Sequence, residues 1–301
     1  MPSPITVVIA TVHRPKDMAR AAESVLQGAY ARLHVIVVNQ GDDEILSEHL
    51  RPFSGDTRLS RTTLHGGGLS AALNLGISLS TSPIVAITGD DCVPRADWLA
   101  NIDRAFSEDP QLGILFGHVA SAPFDPDQGF VPGCTIEQEF VATSMRDLHR
   151  MSGTTACMAL RKTVWQECNG FDEALGLGAP FGSAEDLDLA LRALEAGYRV
   201  RQTPTVQVEH QTPVLWRDRR TVVRRNWYGS GAAMAKSAKL APIMMLIALA
   251  RLARRWLSGG SGVAATYGIT PDRGGMLAGF ATGFVAGLVR RVDRRRRLFV
   301  R

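Results

Sequence analysis

The chain has 301 residues, of which 45% are hydrophobic and 21% charged, and a formal net charge of +5. That length and apolar share suit one large α/β domain with an appendage and a sizeable core. Cys92, Cys134, Cys157 and Cys168 show no CxxC spacing and no secretory signal precedes them. Both observations set aside a disulfide framework and lead to the expectation of a cytoplasmic chain with ordinary thiols. Charge is unevenly divided: residues 1–215 carry 16 Lys/Arg against 26 Asp/Glu, and residues 216–301 carry 18 against 3. The resulting −10 and +15 predict an acidic body over 1–215 and a basic tail over 216–301 that meets an anionic surface, lipid headgroups or nucleic acid.

Taken in chain order, the apolar β-branched run at 5–10 predicts a first strand, and 18–27 a helix with Ala22, Val25 and Leu26 facing inward. Residues 34–38 predict a second strand that ends at Asn39-Gln40-Gly41-Asp42-Asp43. His65-Gly66-Gly67-Gly68 precedes a predicted helix at 69–79, but it lacks GxGxxG spacing after a first strand, which argues against a dinucleotide fold. A strand at 84–87 then delivers Thr88-Gly89-Asp90-Asp91-Cys92 to its carboxyl end, where open α/β sheets bind ligands. Two adjacent carboxylates there are costly without positive charge, and a hard divalent cation carrying a substrate phosphate answers that need. A turn capping the helix that begins near Arg95 is the alternative reading of the pair. Strands alternating with helices imply a mainly parallel, doubly wound sheet.

Further on, Gly176, Gly178 and Gly182 predict a flexible loop before Glu185-Asp186. Leu187, Ala190, Leu191 and Leu194 anchor the following helix by one face, so that the two carboxylates are displayed at its mouth. After a short strand comes Val208-Glu209-His210.

The ordered set formed by 7–11, Asn39-Gln40-Gly41, 68–76, Thr88-Gly89-Asp90-Asp91-Cys92, Gly170-Phe171-Asp172-Glu173, Glu185-Asp186 and His210 resembles a family 2 inverting glycosyltransferase of the GT-A fold, over roughly 4–212. The resemblance implies an α/β GT-A nucleotide-diphospho-sugar transferase fold, with a nucleotide-sugar half at 1–100 and an acceptor half at 101–215. It implies a metal-dependent transfer of a sugar to a hydroxyl of a glycan or lipid-linked acceptor, with Asp186 as the base and Glu185 orienting the acceptor or loop; the exchanged roles stay open. Asp91 and His210 would hold Mg²⁺ or Mn²⁺, with Asp90 nearer the ribose or the outer coordination shell.

Thr11 and Arg14, just past a strand end, suit a ribose and a diphosphate. Asn39 and Gln40 stand where the family usually carries acids that bind the base, and an amide pairs with the imide edge of uracil or thymine, which favours a UDP- or dTDP-sugar. Gly68 would let backbone approach the donor, and Asn74 would order that loop. Residues 152–160 resemble the family's strand beneath the acceptor cleft.

In the tail, residues 240–257 set Leu246, Ile247 and Leu249 beside Arg251, Arg254 and Arg255, with an unbroken apolar run of about ten residues, too short to span a bilayer. Residues 276–289 are apolar and glycine-rich, and an arginine run follows. An amphipathic anchor on anionic inner-leaflet lipid is expected, a helical subdomain packed on the sheet being the alternative. Aromatics are not interleaved with the terminal arginines, so nucleic acid is not expected. A catalytically silent sugar-nucleotide scaffold is the remaining rival.

Overall fold

The computed structural model describes residues 2–257 and 272–300. Strand β1 (Ile5–Thr11) leads to helix α1 (Pro15–Leu26), whose proline stands in the first turn, where a backbone N–H has no intrahelical partner. Met18, Ala21, Ala22, Val25 and Leu26 form its buried stripe. There follow β2 (Leu33–Asn39), α2 (Asp43–Leu50), β3 (Leu59–Thr63), α3 (Gly68–Leu79) and β4 (Ile84–Thr88). Helix α2 and strand β3 are additions to the sequence reading. Asp42 starts α2 by accepting from the Glu44 and Ile45 amides, and β3 is a half-exposed edge strand with little alternation to betray it.

The second half runs β5 (Cys92–Pro94), α4 (Trp98–Glu108), β6 (Leu112–Ser121), β7 (Gly129–Phe130), β8 (Phe140–Ala142), β9 (Cys157–Arg161), α5 (Lys162–Glu167), α6 (Glu185–Glu195), β10 (Arg199–His210) and β11 (Val214–Leu215). The main sheet has the order β3-β2-β1-β4-β9-β6-β10-β5, with β8 on β10. Pairing is parallel from β3 through β4 and again between β6 and β10. Strand β9 lies antiparallel between β4 and β6. That insertion sets Cys157 opposite Thr88, so the chain entering β9 meets the chain leaving β4. Antiparallel pairing of β10 with β5 places His210 opposite Cys92 and therefore beside the acidic pair.

Helices α7 (Arg219–Leu240), α8 (Pro242–Leu257) and α9 (Arg273–Val289) and the hairpin β12 (Val292–Asp293)–β13 (Leu298–Phe299) make up the described remainder. The glycines of 276–289 let α9 approach α7 backbone to backbone, since a Cβ at Gly283 would stand 1.9 Å from the Tyr228 carbonyl oxygen. Helix α7 also packs on α6, and its Lys236 has no exposed surface. The residues after 215 therefore share a core with those before it. Outward, α8 exposes Ile243 and Leu246 and α9 exposes Val285 and Val289. The Arg255 side chain lies outside the described residues, and no described helix is long and apolar enough to cross a membrane.

Candidate active site

At the carboxyl ends of β1 and β4 the Thr11 hydroxyl donates to Asp90 Oδ2 at 2.7 Å. The Arg14 guanidinium reaches both acids, at 2.5 Å from Asp91 Oδ2 and 3.3 Å from Asp90 Oδ1. His210 Nε2 approaches the same Asp91 oxygen at 3.2 Å. The two neighbours titrate in opposite directions. Burial pushes Asp90 up to about 6, with the Thr11 hydrogen bond opposing and Asp91 adding to the rise. Burial also acts to raise Asp91, but the His210 hydrogen bond and charge, followed by Arg14, hold it well below the usual carboxylate range. Asp91 thus keeps its charge to lower pH than Asp90.

The ligand atoms of Asp91, Cys92 and His210 lie within 4.8 Å of one another. His210 Nδ1 is buried with no hydrogen-bond partner among the described residues. One carboxylate oxygen and one imidazole nitrogen suit a divalent cation of the Mg²⁺ or Mn²⁺ type. The Cys92 thiol does not suit that donor set, because a hard cation of this type prefers oxygen and imidazole donors to soft sulfur.

Opposite, the mouth of α6 presents Glu185 and Asp186. Glu185 is buried and its Oε1 accepts from the Thr155 hydroxyl at 2.9 Å. Asp186 is half-buried, and it accepts the Leu187 amide at 2.6 Å and the Thr155 amide at 3.3 Å. Burial and the Asp186 charge push Glu185 up to about 8, and burial raises Asp186 against its backbone hydrogen bonds. Glu185 therefore keeps its proton at neutral pH, whereas the more open Asp186 faces the cleft. Ala184, just before the pair, holds φ at +71°, a strained region for a residue with a Cβ.

A cleft of about 1000 Å³ joins these parts. Its lining includes Thr11, Arg14, Gln40, Gly68, Asp90, Asp91, Glu185, Asp186 and His210. Gln40 donates to the Gly66 carbonyl at 2.6 Å. Two expected residues turn elsewhere. The Asn39 side chain is committed to Gly41 and Asp43 and lines a smaller side cavity, and Asn74 binds the backbone of Phe171, Glu173 and the Trp165 indole. The close approach at Gly68 is made by the covering loop: Leu69 N donates to the Leu177 carbonyl at 2.8 Å, and a Cβ on Gly68 would stand 2.7 Å from that oxygen. Sequence reasoning set Thr155 within the run 152–160 beneath the acceptor cleft without giving it a role of its own, and it passed over the α7 wall of the cleft, where Arg225, Asn226 and Trp227 stand. The run Arg224-Arg225-Asn226-Trp227 was the available signal, hidden among the other basic residues of the tail.

Residues 2–229 match the profile of the glycosyltransferase-like family 2. The chain belongs to this family. Over 243 residues it is 28% identical to the pre-mycofactocin glycosyltransferase of Mycobacterium tuberculosis, covering 76% of this chain and 47% of that protein. The chain thus spans about half the length of that relative. The glucosyl-dolichyl phosphate glucuronosyltransferase of Haloferax volcanii is 24% identical over 222 residues, 69% of each protein. Among solved structures, the mannosyltransferase PcManGT of Pyrobaculum calidifontis, in complex with GDP-Man and Mn²⁺, superposes with a TM-score of 0.61 at 19% identity, covering 96% of this chain and 88% of that one. S. aureus TarS 1–349 gives 0.64 at 12% identity, covering 95% and 81%. These likenesses establish the GT-A fold for this family 2 member.

Proposed function

We propose that the chain transfers a sugar from a nucleotide-diphospho-sugar to an acceptor hydroxyl in one inverting displacement. The observation that carries this reading is that Asp186 lines the same cleft as Asp90, Asp91 and His210. The acceptor oxygen forms a bond to the anomeric carbon as the bond from that carbon to the diphosphate breaks on the opposite face, and the hydroxyl proton passes to Asp186. Glu185, neutral and held by Thr155, keeps a second negative charge away from the base. Arg14 supplies positive charge beside the diphosphate site. A Mg²⁺ or Mn²⁺ ion held by Asp91 and His210 would supply further neutralisation of the leaving diphosphate. Thr11, with Asp90, faces the ribose, and Gln40 supports a UDP- or dTDP-sugar by offering donor and acceptor to an imide.

The acceptor in this reading is a glycan or lipid-linked hydroxyl, met by a chain that is peripheral at the cytoplasmic face of a membrane. Exposed Val285 and Val289, followed in the chain by the exposed Arg291, Arg294, Arg295 and Arg296, support that placement, as do the exposed Ile243 and Leu246 of α8. The test is Asp186→Asn, assayed against a panel of UDP-, dTDP- and GDP-sugars. Turnover falls at least about a hundredfold with donor affinity changed no more than a fewfold, because loss of the base is a transition-state effect. Near-wild-type turnover in the variant refutes the assignment.

A further inference from the structure

Lys236 belongs to the first helix of the basic tail, yet it is the interior of the protein that holds it. Its Nζ makes ion pairs of 2.5 Å with Asp172 Oδ2 and 2.7 Å with Asp188 Oδ1, and all three side chains are at most 2% exposed. Asp172 Oδ2 also accepts the Phe299 amide at 2.8 Å, which ties β13 to the same point. Asp188 Oδ2 takes Arg192 at 2.7 Å, and Arg192 donates to the Gly170 carbonyl at 2.8 Å. Burial opposes the ionised form of Asp188, but Arg192 and Lys236 hold its carboxyl below the ordinary range.

A buried ionic cluster is a poor way to gain stability, since apolar side chains of the same volume commonly do as well or better. Its distinctive effect is to fix separate segments at one point. Here the segments are the two ends of one loop. Asp172 immediately precedes residues 173–184, and Asp188 follows them by one helical turn. The loop closes on itself through Phe181 N to the Ala174 carbonyl and Gly176 N to the Ser183 carbonyl, and it docks on α3 through Leu69 and Ser70. It ends at Ala184, whose strained φ persists only where its surroundings over-determine it. Glu185 and Asp186 come next.

We infer that Lys236 is a positioning residue whose ammonium, brought by α7, pins both ends of the 173–184 loop and so holds Glu185 and Asp186 at the cleft. Helix α7 is then a working part of the site. The inference rests on Glu185 and Asp186 being the reactive pair, and its test separates the two ideas.

Lys236→Met leaves Asp172 buried without its cation, so the informative variant is the full-length Lys236→Met/Asp172→Asn chain. It is neutral at that point and keeps an acceptor for the Phe299 amide. Hydrogen exchange at the Gly176 and Phe181 amides is expected to quicken by at least about tenfold while the α1 and α3 amides stay protected. With UDP-glucose, UDP-galactose, dTDP-rhamnose and GDP-mannose as donor probes, kcat per folded molecule, with the folded fraction taken from the denaturation curve, falls at least about tenfold and donor KM stays within about threefold, a loss that a smaller folded population does not produce. In the wild-type chain, Gly176 and Phe181 are expected to open together with Ala233 and Ala235 of α7 as the denaturant concentration rises. Wild-type exchange and kcat in the folded double variant overturn the inference, as does a wild-type loop that opens independently of α7. Undiminished turnover in Asp186→Asn with intact loop–α7 coupling instead refutes the base assignment and leaves the pin standing.

Discussion

Replacing Glu185 with glutamine isolates the electrostatics of the α6 mouth. In the native chain the Glu185 carboxyl keeps its proton up to about pH 8, because burial and then Asp186 disfavour the anion; the ordinary value is 4.5. Between those values the unfolded chain has released a proton that the folded chain retains. The contribution is fully present below pH 4.5 and is lost as pH rises through the folded value. Stability falls by about 1.4 kcal/mol per pH unit inside the window, for a total on the order of a few kcal/mol. In Glu185→Gln the new amide retains an oxygen for the Thr155 hydroxyl and has no proton to lose. The variant should therefore stay within about 1 kcal/mol of wild type at pH 5 and exceed it at pH 8.5, with a melting temperature higher by roughly 4–8 °C at about 2 °C per kcal/mol for a chain of this size. Urea unfolding and thermal melts at unit steps from pH 5 to pH 9 provide the assay. Parallel pH profiles for the two proteins would refute the claim that Glu185 is protonated in the native site.

Three further outcomes are expected. Calorimetric binding of the donor should require Mg²⁺ or Mn²⁺, with Asp91→Asn or His210→Ala weakening that dependence and Asp90→Asn milder; equal affinity in excess chelator would count against the metal site. Gly68→Ala forces a Cβ onto the Leu177 carbonyl at a φ of +72°, so it should destabilise the fold by about 1–3 kcal/mol and loosen the covering loop in hydrogen exchange. Sedimentation with vesicles should require anionic lipid and weaken in salt, each basic residue near the surface contributing on the order of 1 kcal/mol; recovery in the supernatant under all conditions would argue against a membrane surface as partner.

Much of the site was legible because its signals are local. The β-branched runs that become β1, β2 and β4 announce strands by composition, and polar residues where such runs stop must lie at strand ends, which is how Thr11 and the Asp90-Asp91 pair were found. The apolar spacing of Leu187, Ala190, Leu191 and Leu194 likewise predicts α6 and leaves Glu185 and Asp186 at its mouth. What stayed hidden depends on partners distant in sequence. Insertion of β9 between β4 and β6, which brings Thr155 to the carboxylates, is a choice of pairing that periodicity cannot express. Asn74 is claimed by Trp165 and Phe171, 91 and 97 residues away, whereas the Asn39 amide is taken locally by Gly41 and Asp43. The net charge of the tail suggested an anionic surface as its partner, and one lysine among its basic residues carried no mark of burial. Its place in the core is set by Asp172, 64 residues away, and by Asp188, and those two acids come together only when the covering loop closes. Sequence by itself determined the elements and the chemical inventory, because propensity and periodicity act over a few residues. Tertiary structure decided which groups meet, because pairing and desolvation of charges are fixed only when distant segments pack.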